Sequence, residues 1–415
     1  ETVTATGCAT TTANYNVTIN PLPTPSITGL NAVCENQTNV TYSTPNVVGN
    51  TYAWSITGGT ITAGAGTNSI TVTWGAAGTG TLQLTETITA STCAVTTSVY
   101  NVTKNANPTP VISGPATVCA AQAANVYSTT NVVGNSYNWT VTGGTITAGA
   151  GTNSITVTWG SGASGTVQLT ETITATGCAT TTANYNVTIN PLPTPSITGL
   201  NAVCENQTNV TYSTPNVVGN TYNWNITGGT ITAGAGTNSI TVTWGAAGTG
   251  TLQLTETITA STCAVTTSVY NVTKNANPTP VISGPATVCA AQAANVYSTT
   301  NVVGNSYNWT VSGGTITAGA GTNSITVTWG SGASGTVRLT ETVTATGCAT
   351  TTANYNVTIN PLPTPVITGL NAVCENQTNV TYSTPNVVGN TYNWNITGGT
   401  ITAGAGTNSI TVTWG

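Results

Sequence analysis

Apolar and polar residues alternate in short runs along the whole chain, and the alternation restarts about every 85 residues. In the stretch 21–105 the period of two predicts strands over Ser26–Thr28 and Val40–Ser43, then over Tyr52–Thr57, where Tyr52, Trp54 and Ile56 share one face. Gly58-Gly59 reads as a two-residue hairpin turn, Thr60–Ala63 returns from it, and Gly64-Ala65-Gly66 is a loop without the Lys that a phosphate cradle needs. Ser69–Trp74 puts Ile70, Val72 and Trp74 on the inner face with Thr71 and Thr73 outside. Two longer strands close the unit: Thr81–Ala90, with Leu82, Leu84 and Ile88 inward, and Thr96–Thr103, with Tyr100 and Val102 inward. No segment carries helical spacing, so the unit reads as all-β, seven strands in a two-sheet sandwich.

A second period, twice as long, overlies the first. Residues 21–105 recur as 191–275 with Asn223 and Asn225 in place of Ala53 and Ser55, while 106–190 is a diverged sister. Calling the two types A and B, the chain holds a C-terminal fragment of B (1–20), A (21–105), B (106–190), A (191–275), B (276–360) and the N-terminal part of an A (361–415). Glu1 matches Glu171 and Gly415 matches Gly75, so the expectation is a window cut from a longer array. Near-identical copies suit length and assembly better than a unique pocket. Alternating A with B separates the closest twins, which would limit cross-repeat misfolding.

Each repeat supplies two tryptophans: Trp54 and Trp74, Trp139 and Trp159, Trp224 and Trp244, Trp309 and Trp329, then Trp394 and Trp414. With no Phe or Met in the chain, they are expected to provide the bulk of the core; the alternative is an exposed platform for stacking sugars. The junctions are proline-rich: Pro21, Pro23 and Pro25; Pro108 and Pro110; Pro191, Pro193 and Pro195; Pro278 and Pro280; Pro361, Pro363 and Pro365. Such connectors favour extended, semi-rigid backbone, so each repeat should advance about 40 Å and the array should form an extended rod, with loose beads as the alternative.

The cysteines recur at two alternating spacings, a short one as from Cys8 to Cys34 and a long one as from Cys34 to Cys93. The longer spacing would close Cys34–Cys93, Cys119–Cys178, Cys204–Cys263 and Cys289–Cys348 within repeats; the shorter would bridge the proline junctions. The first is favoured, because a loop of about 60 residues gives roughly 4 kcal/mol of chain-entropy stabilisation to a small domain. Cys8 and Cys374 would then have partners outside the sequence. Oxidised cysteines imply an extracytoplasmic setting.

Composition narrows the function. Only 3% of residues are charged, with 3 Lys+Arg, no His and no Asp, and the net charge is −5. Lys104, Lys274 and Arg338 cannot form a phosphate-binding surface, which excludes nucleic acid and anionic membranes as partners, and no stretch is long and apolar enough to insert in a membrane. Near-neutral surfaces associate, so copies of the chain are the expected partner. Without His there is no base for Ser or Cys nucleophiles, no metal or cofactor site is expected, and the chain reads as a non-enzyme. Glu35 and Glu86 offer a carboxylate pair only in A repeats. Glu86, with Glu171, Glu256 and Glu341, shares the inward parity of Leu82 and Leu84, so either a bulge turns it outward or it accepts hydrogen bonds from backbone or Tyr. Asn-x-Thr sequons such as Asn16-Val17-Thr18 leave glycosylation open.

The run Pro25-Ser26-Ile27 with Gly29 and Cys34, then Tyr52-x-Trp54, Gly58-Gly59, Gly64-x-Gly66, Ile70-x-Val72-x-Trp74-Gly75 and Cys93, resembles the PKD-like, immunoglobulin-like repeats of giant surface proteins in Bacteroidota. The resemblance covers every repeat and implies secreted adhesins, including those of gliding motility, in which tandem sandwiches form a stalk. Cys34 and Cys93 depart from the immunoglobulin pattern of cysteines on facing core strands, and the absence of Asp argues against calcium-stiffened joints.

Three functions are therefore expected in order: an extracellular structural filament or adhesin stalk; a cell-surface module binding glycan or host surface; and an ice-binding face made of outward Thr rows such as Thr71/Thr73 and Thr85/Thr87/Thr89. Within the first, residues 1–20 carry closing strands and 361–415 opening strands, which admits strand donation between subunits.

Overall fold

The alternation of Thr with Val, Ile, Leu and aromatic residues becomes sheet throughout the computed structural model, which describes residues 1–415. The first complete repeat contains β1 (Ala32–Cys34), β2 (Val40–Ser43), β3 (Asn50–Thr57), β4 (Gly59–Ala63), β5 (Ser69–Trp74), β6 (Gly78–Ile88), β7 (Ala94–Thr96) and β8 (Tyr100–Asn105). One sheet has the order β1-β8-β6-β3, with β7 also paired to β6; the other has the order β2-β5-β4. All pairs are antiparallel except β1 with β8, where Cys34 lies beside Asn105. The second repeat follows the same plan with β9 (Thr117–Cys119), β10 (Asn125–Ser128), β11 (Asn135–Thr142), β12 (Gly144–Ala148), β13 (Ser154–Trp159), β14 (Ser164–Ile173), β15 (Ala179–Thr181) and β16 (Tyr185–Asn190). The third and fourth repeats do likewise, and the last segment keeps only the three-stranded sheet.

Four expectations change. Gly58-Gly59 closes no hairpin but carries the chain from one sheet to the other, since β3 pairs with β6 and β4 with β5. Thr28 makes only an isolated bridge to Ser43, and the true first strand is Ala32–Cys34, too short to show a period. The expected strand Thr96–Thr103 is broken into β7 and β8: Thr85 pairs with Thr96 but Leu82 with Tyr100, so one extra residue is accommodated between them. Thr97 fills the gap, its N–H donating to Leu84 O and its hydroxyl accepting from Leu84 N–H. Residues 1–20 form no strand, only a Thr2–Ala9 bridge, because the counterparts of 164–170 that would pair with them are not in the sequence.

Each core lies between the two sheets. In the first repeat Tyr42, Val72, Leu82 and Val102 are completely buried around Trp74, whose ring meets Tyr42 edge-on at 5.9 Å. The equivalent Trp159, Trp244 and Trp329 are equally buried; Trp54, Trp139, Trp224 and Trp309 lie nearer the rim, and their indole N–H groups donate to a loop carbonyl, Thr67 O for Trp54. Trp394 and Trp414 are only partly covered in the last segment. Space for Trp74 depends on Gly80, where any Cβ would run into the indole ring.

Glu86 stays inward without a bulge. It is 3% exposed, continues the register opposite Tyr52, and accepts from the Asn50 side-chain amide at 2.7 Å rather than from Tyr or backbone. Glu171, Glu256 and Glu341 take the same bond from Asn135, Asn220 and Asn305.

By contacts the chain divides into two compact units. The first is Glu1–Pro195 with Asn216–Tyr222 and Thr255–Thr266; the second is Ser196–Pro215, Asn223–Leu254 and Thr267–Gly415.

Candidate functional site: the repeat junctions

The chemistry that distinguishes these repeats is concentrated where one follows another. Cys34 ends β1, next to Asn105 at the end of β8, so it sits where the chain leaves the first repeat. Its position is fixed locally: Cys34 N–H donates to the Gln37 side-chain oxygen at 2.8 Å, and Gln37 O accepts from Trp74 N–H at 3.0 Å. The intervening turn holds Asn36 at φ 57° and Asn39 at φ 59°, which Asn tolerates; the B repeats place Ala121 and Ala124 there, at a conformational cost.

Cys93 sits elsewhere. Gly78 at the start of β6 lies opposite Lys104, close to Cys34, whereas Cys93 follows Ile88 at the other end of β6, roughly 33 Å along the strand. A disulfide needs Cα atoms within about 7 Å, so Cys34–Cys93 cannot form in this fold. The bridging alternative fails for the same reason, since Cys119 at the end of β9 and Cys93 occupy the far ends of adjacent repeats.

The structure pairs the cysteines differently. Cys34 is bonded to Cys178, Cys119 to Cys263 and Cys204 to Cys348, with Cα–Cα distances of 5.4, 5.6 and 5.4 Å and a constant sequence separation of 144. Each bond joins the exit end of one repeat to the β6–β7-type turn of the next. In the second repeat that turn is closed by Gly177 at φ 73°, and Ile173 N–H donates to Cys178 O at 2.9 Å. Cys178, Cys263 and Cys348 are completely buried. Cys8, Cys93, Cys289 and Cys374 are unbonded, and no cysteine lies at that separation from any of them within 1–415. The expectation of disulfides within repeats therefore fails, for Cys93 and Cys289 as for the six bonded cysteines, because no repeat offers two cysteines within reach of each other.

The backbone crossing beside the cystine is also held. From the first repeat to the second, Glu35 accepts the Asn107 backbone N–H on Oε1 at 2.9 Å and the Ala77 N–H on Oε2 at 3.2 Å, while Asn107 Nδ2 donates to Glu35 O. Those bonds, Asn107 first and Ala77 second, hold the Glu35 carboxyl below its ordinary pKa of 4.5. Glu205, Asn277 and Ala247 repeat the clamp. At the exit of a B repeat Ala120 replaces Glu35, and Leu192 from the linker packs against the core that includes Ala120. The exits of the first and third repeats thus carry a polar clamp that the exit of the second lacks. No helix of the chain is long and apolar enough to cross a membrane, and no cluster of His, Cys, Asp or Glu could hold a metal ion.

The architecture is that of tandem immunoglobulin-like sandwiches. The chain belongs to the PKD-like domain family, whose model matches residues 20–102, 104–189, 190–273, 275–359 and 360–415. No curated protein is detectably similar in sequence. Among solved structures, the human Desmocollin-1 ectodomain is similar over 81% of this chain and 79% of its own, at 11% identity and a TM-score of 0.22. An ICAM-5 D1-D4 ectodomain fragment is similar over 81% and 99%, at 9% identity and a TM-score of 0.31. A Bacteroides ovatus SGBP-B structure, in complex with a mixed-linkage heptasaccharide, is similar over 64% and 72%, at 16% identity and a TM-score of 0.16.

Proposed function

We propose that this chain is a non-enzymatic structural protein of the cell exterior, a stalk or filament of the kind the Bacteroidota surface adhesins use to span distance. The observation that carries the reading is the set of three cystines between successive repeats. A binding module needs each domain intact; a device concerned with the joints gains from stapling three successive junctions covalently. Buried oxidised cysteines also favour secretion.

The surfaces favour association with further copies. Both outward faces are covered with hydroxyls rather than charges, and many are already satisfied in pairs, as in Thr57–Thr81 at 2.6 Å and Thr85–Thr96 at 2.7 Å. Val48 is 98% exposed at the tip of the β2–β3 loop, and Val133, Val218, Val303 and Val388 repeat it, giving a regular apolar point on each repeat. A sugar-stacking function draws no support from the tryptophans, since those at the Trp74 position are enclosed. Electron microscopy of the purified chain tests the proposal. Slender particles with a bead about every 40 Å are expected, and round particles would refute it.

A further inference from the structure

The sequence separation of 144 within each cystine exceeds the length of one repeat, and its consequence is topological. A covalent route can enter at Cys34, cross to Cys178, follow the backbone only from Cys178 to Cys204, and cross again to Cys348. Two whole repeats are thereby traversed on that short stretch of main chain and one disulfide. The equivalent stretch in the first two repeats, Cys93 to Cys119, consists of β7, β8, the proline linker and β9, all open, extended backbone.

From this topology we infer that the array acts as a cable of capped length, in which the cystines, rather than the folded sheets, set the greatest extension under tension. The inference deepens the stalk reading and rests on it. Drawn out fully at about 3.5 Å per residue, the roughly 26 residues and a cystine reach about 95 Å. Two folded repeats are expected to advance about 80 Å, so the route has little slack. The strands outside it, β2 to β6 and their counterparts, include both Trp positions and the whole of the three-stranded sheet. A pull on the chain is taken up by the short route before those strands can be drawn apart. Had the cysteines paired within repeats, the path through two repeats would include two such stretches, and nothing would join the exit of one repeat to the next except the linker.

The ceiling is computable for the chain. The shortest covalent path from Glu1 to Gly415 uses the stretches 1–34, 178–204 and 348–415, roughly 126 residues or about 450 Å, against about 1,450 Å for the whole backbone. The Cys119–Cys263 bond lies on the interleaved second route and contributes nothing to this path. Without Cys34–Cys178, or without Cys204–Cys348, the shortest path lengthens to roughly 244 residues, about 860 Å.

Single-molecule pulling on the full chain, held at Glu1 and Gly415, tests this. The oxidised chain should stop extending at about 450 Å and lengthen about threefold when the reductant TCEP is added. The variant C119S/C263S should keep the original ceiling, whereas C34S/C178S and C204S/C348S should each nearly double it. Extension of the oxidised chain to its full contour, or equal lengthening by all three variants, would overturn the inference. Slender particles in the microscope together with either result would leave the stalk reading standing and remove the cable alone.

Discussion

Glu35 and Asn107 belong to adjacent repeats, and the carboxylate of the first accepts the backbone N–H of the second at 2.9 Å. The bond uses the charged form, which is why the Glu35 pKa lies below 4.5. A depressed carboxyl pKa stabilises the folded state above the unfolded value and loses that contribution as pH falls through the folded one. The Asn107 amide should therefore exchange with solvent faster, relative to core amides, as the pH is lowered below about 4.5. E35Q should show the faster exchange at neutral pH already. Hydrogen exchange at Asn107 across this range checks both statements, and a flat ratio would contradict them.

Asn50 and Glu86 form the buried charge contact that complete repeats of both types share. N50A leaves the carboxylate in place without its donor, and the cost of an unsatisfied buried polar group is about 1–3 kcal/mol, more for a charged one. Thermal unfolding should show one repeat melting earlier in N50A. A variant that removes both partners should recover part of the loss.

Gly80 faces the Trp74 ring so closely that no side chain fits. G80A must push the largest core side chain out of its place, and overpacking of that kind costs about 1–3 kcal/mol. G66A, at a loop position with open space around it, is the matched control and should be neutral. Denaturant midpoints of the two variants provide the comparison.

Tyr42 lies fully inside the sandwich and donates to Leu30 O at 2.8 Å. Burial pushes its pKa up to about 12; the Trp74 indole N–H opposes this and neighbouring Tyr100 adds to it. The Trp74 N–H makes no hydrogen bond, so burial dominates. A raised folded pKa contributes stability in full below the unfolded value of 10 and loses it as pH rises toward 12. Tyr127 and Tyr212 behave alike. Tyrosinate absorbance from Tyr42, Tyr127 and Tyr212 should accordingly appear only above pH 10, together with cooperative unfolding.

Much of this architecture is legible in the residues. Period-two alternation locates Val40–Ser43, Ser69–Trp74 and the inward face of β6, because half-buried strands impose that pattern directly. Ala32–Cys34 is not visible: three residues paired in parallel with a strand at the far end of the repeat leave no local signature. The split between β7 and β8 has the same origin, since a one-residue bulge held by Thr97 is invisible where Thr is so common. Glu86 is marked by its inward parity, but its partner Asn50 is an ordinary residue at the start of a strand. The cysteine pairing eludes spacing altogether. Loop entropy favours the nearest partner, whereas the sheet places Cys34 and Cys93 at opposite ends of β6 and leaves only the next repeat within reach.

Peptide mapping of the non-reduced protein by mass spectrometry tests the central claim most directly. Cleavage should yield linked peptides containing Cys34 with Cys178, Cys119 with Cys263 and Cys204 with Cys348. Peptides joining Cys34 to Cys93, or free thiols at all six positions, would contradict it.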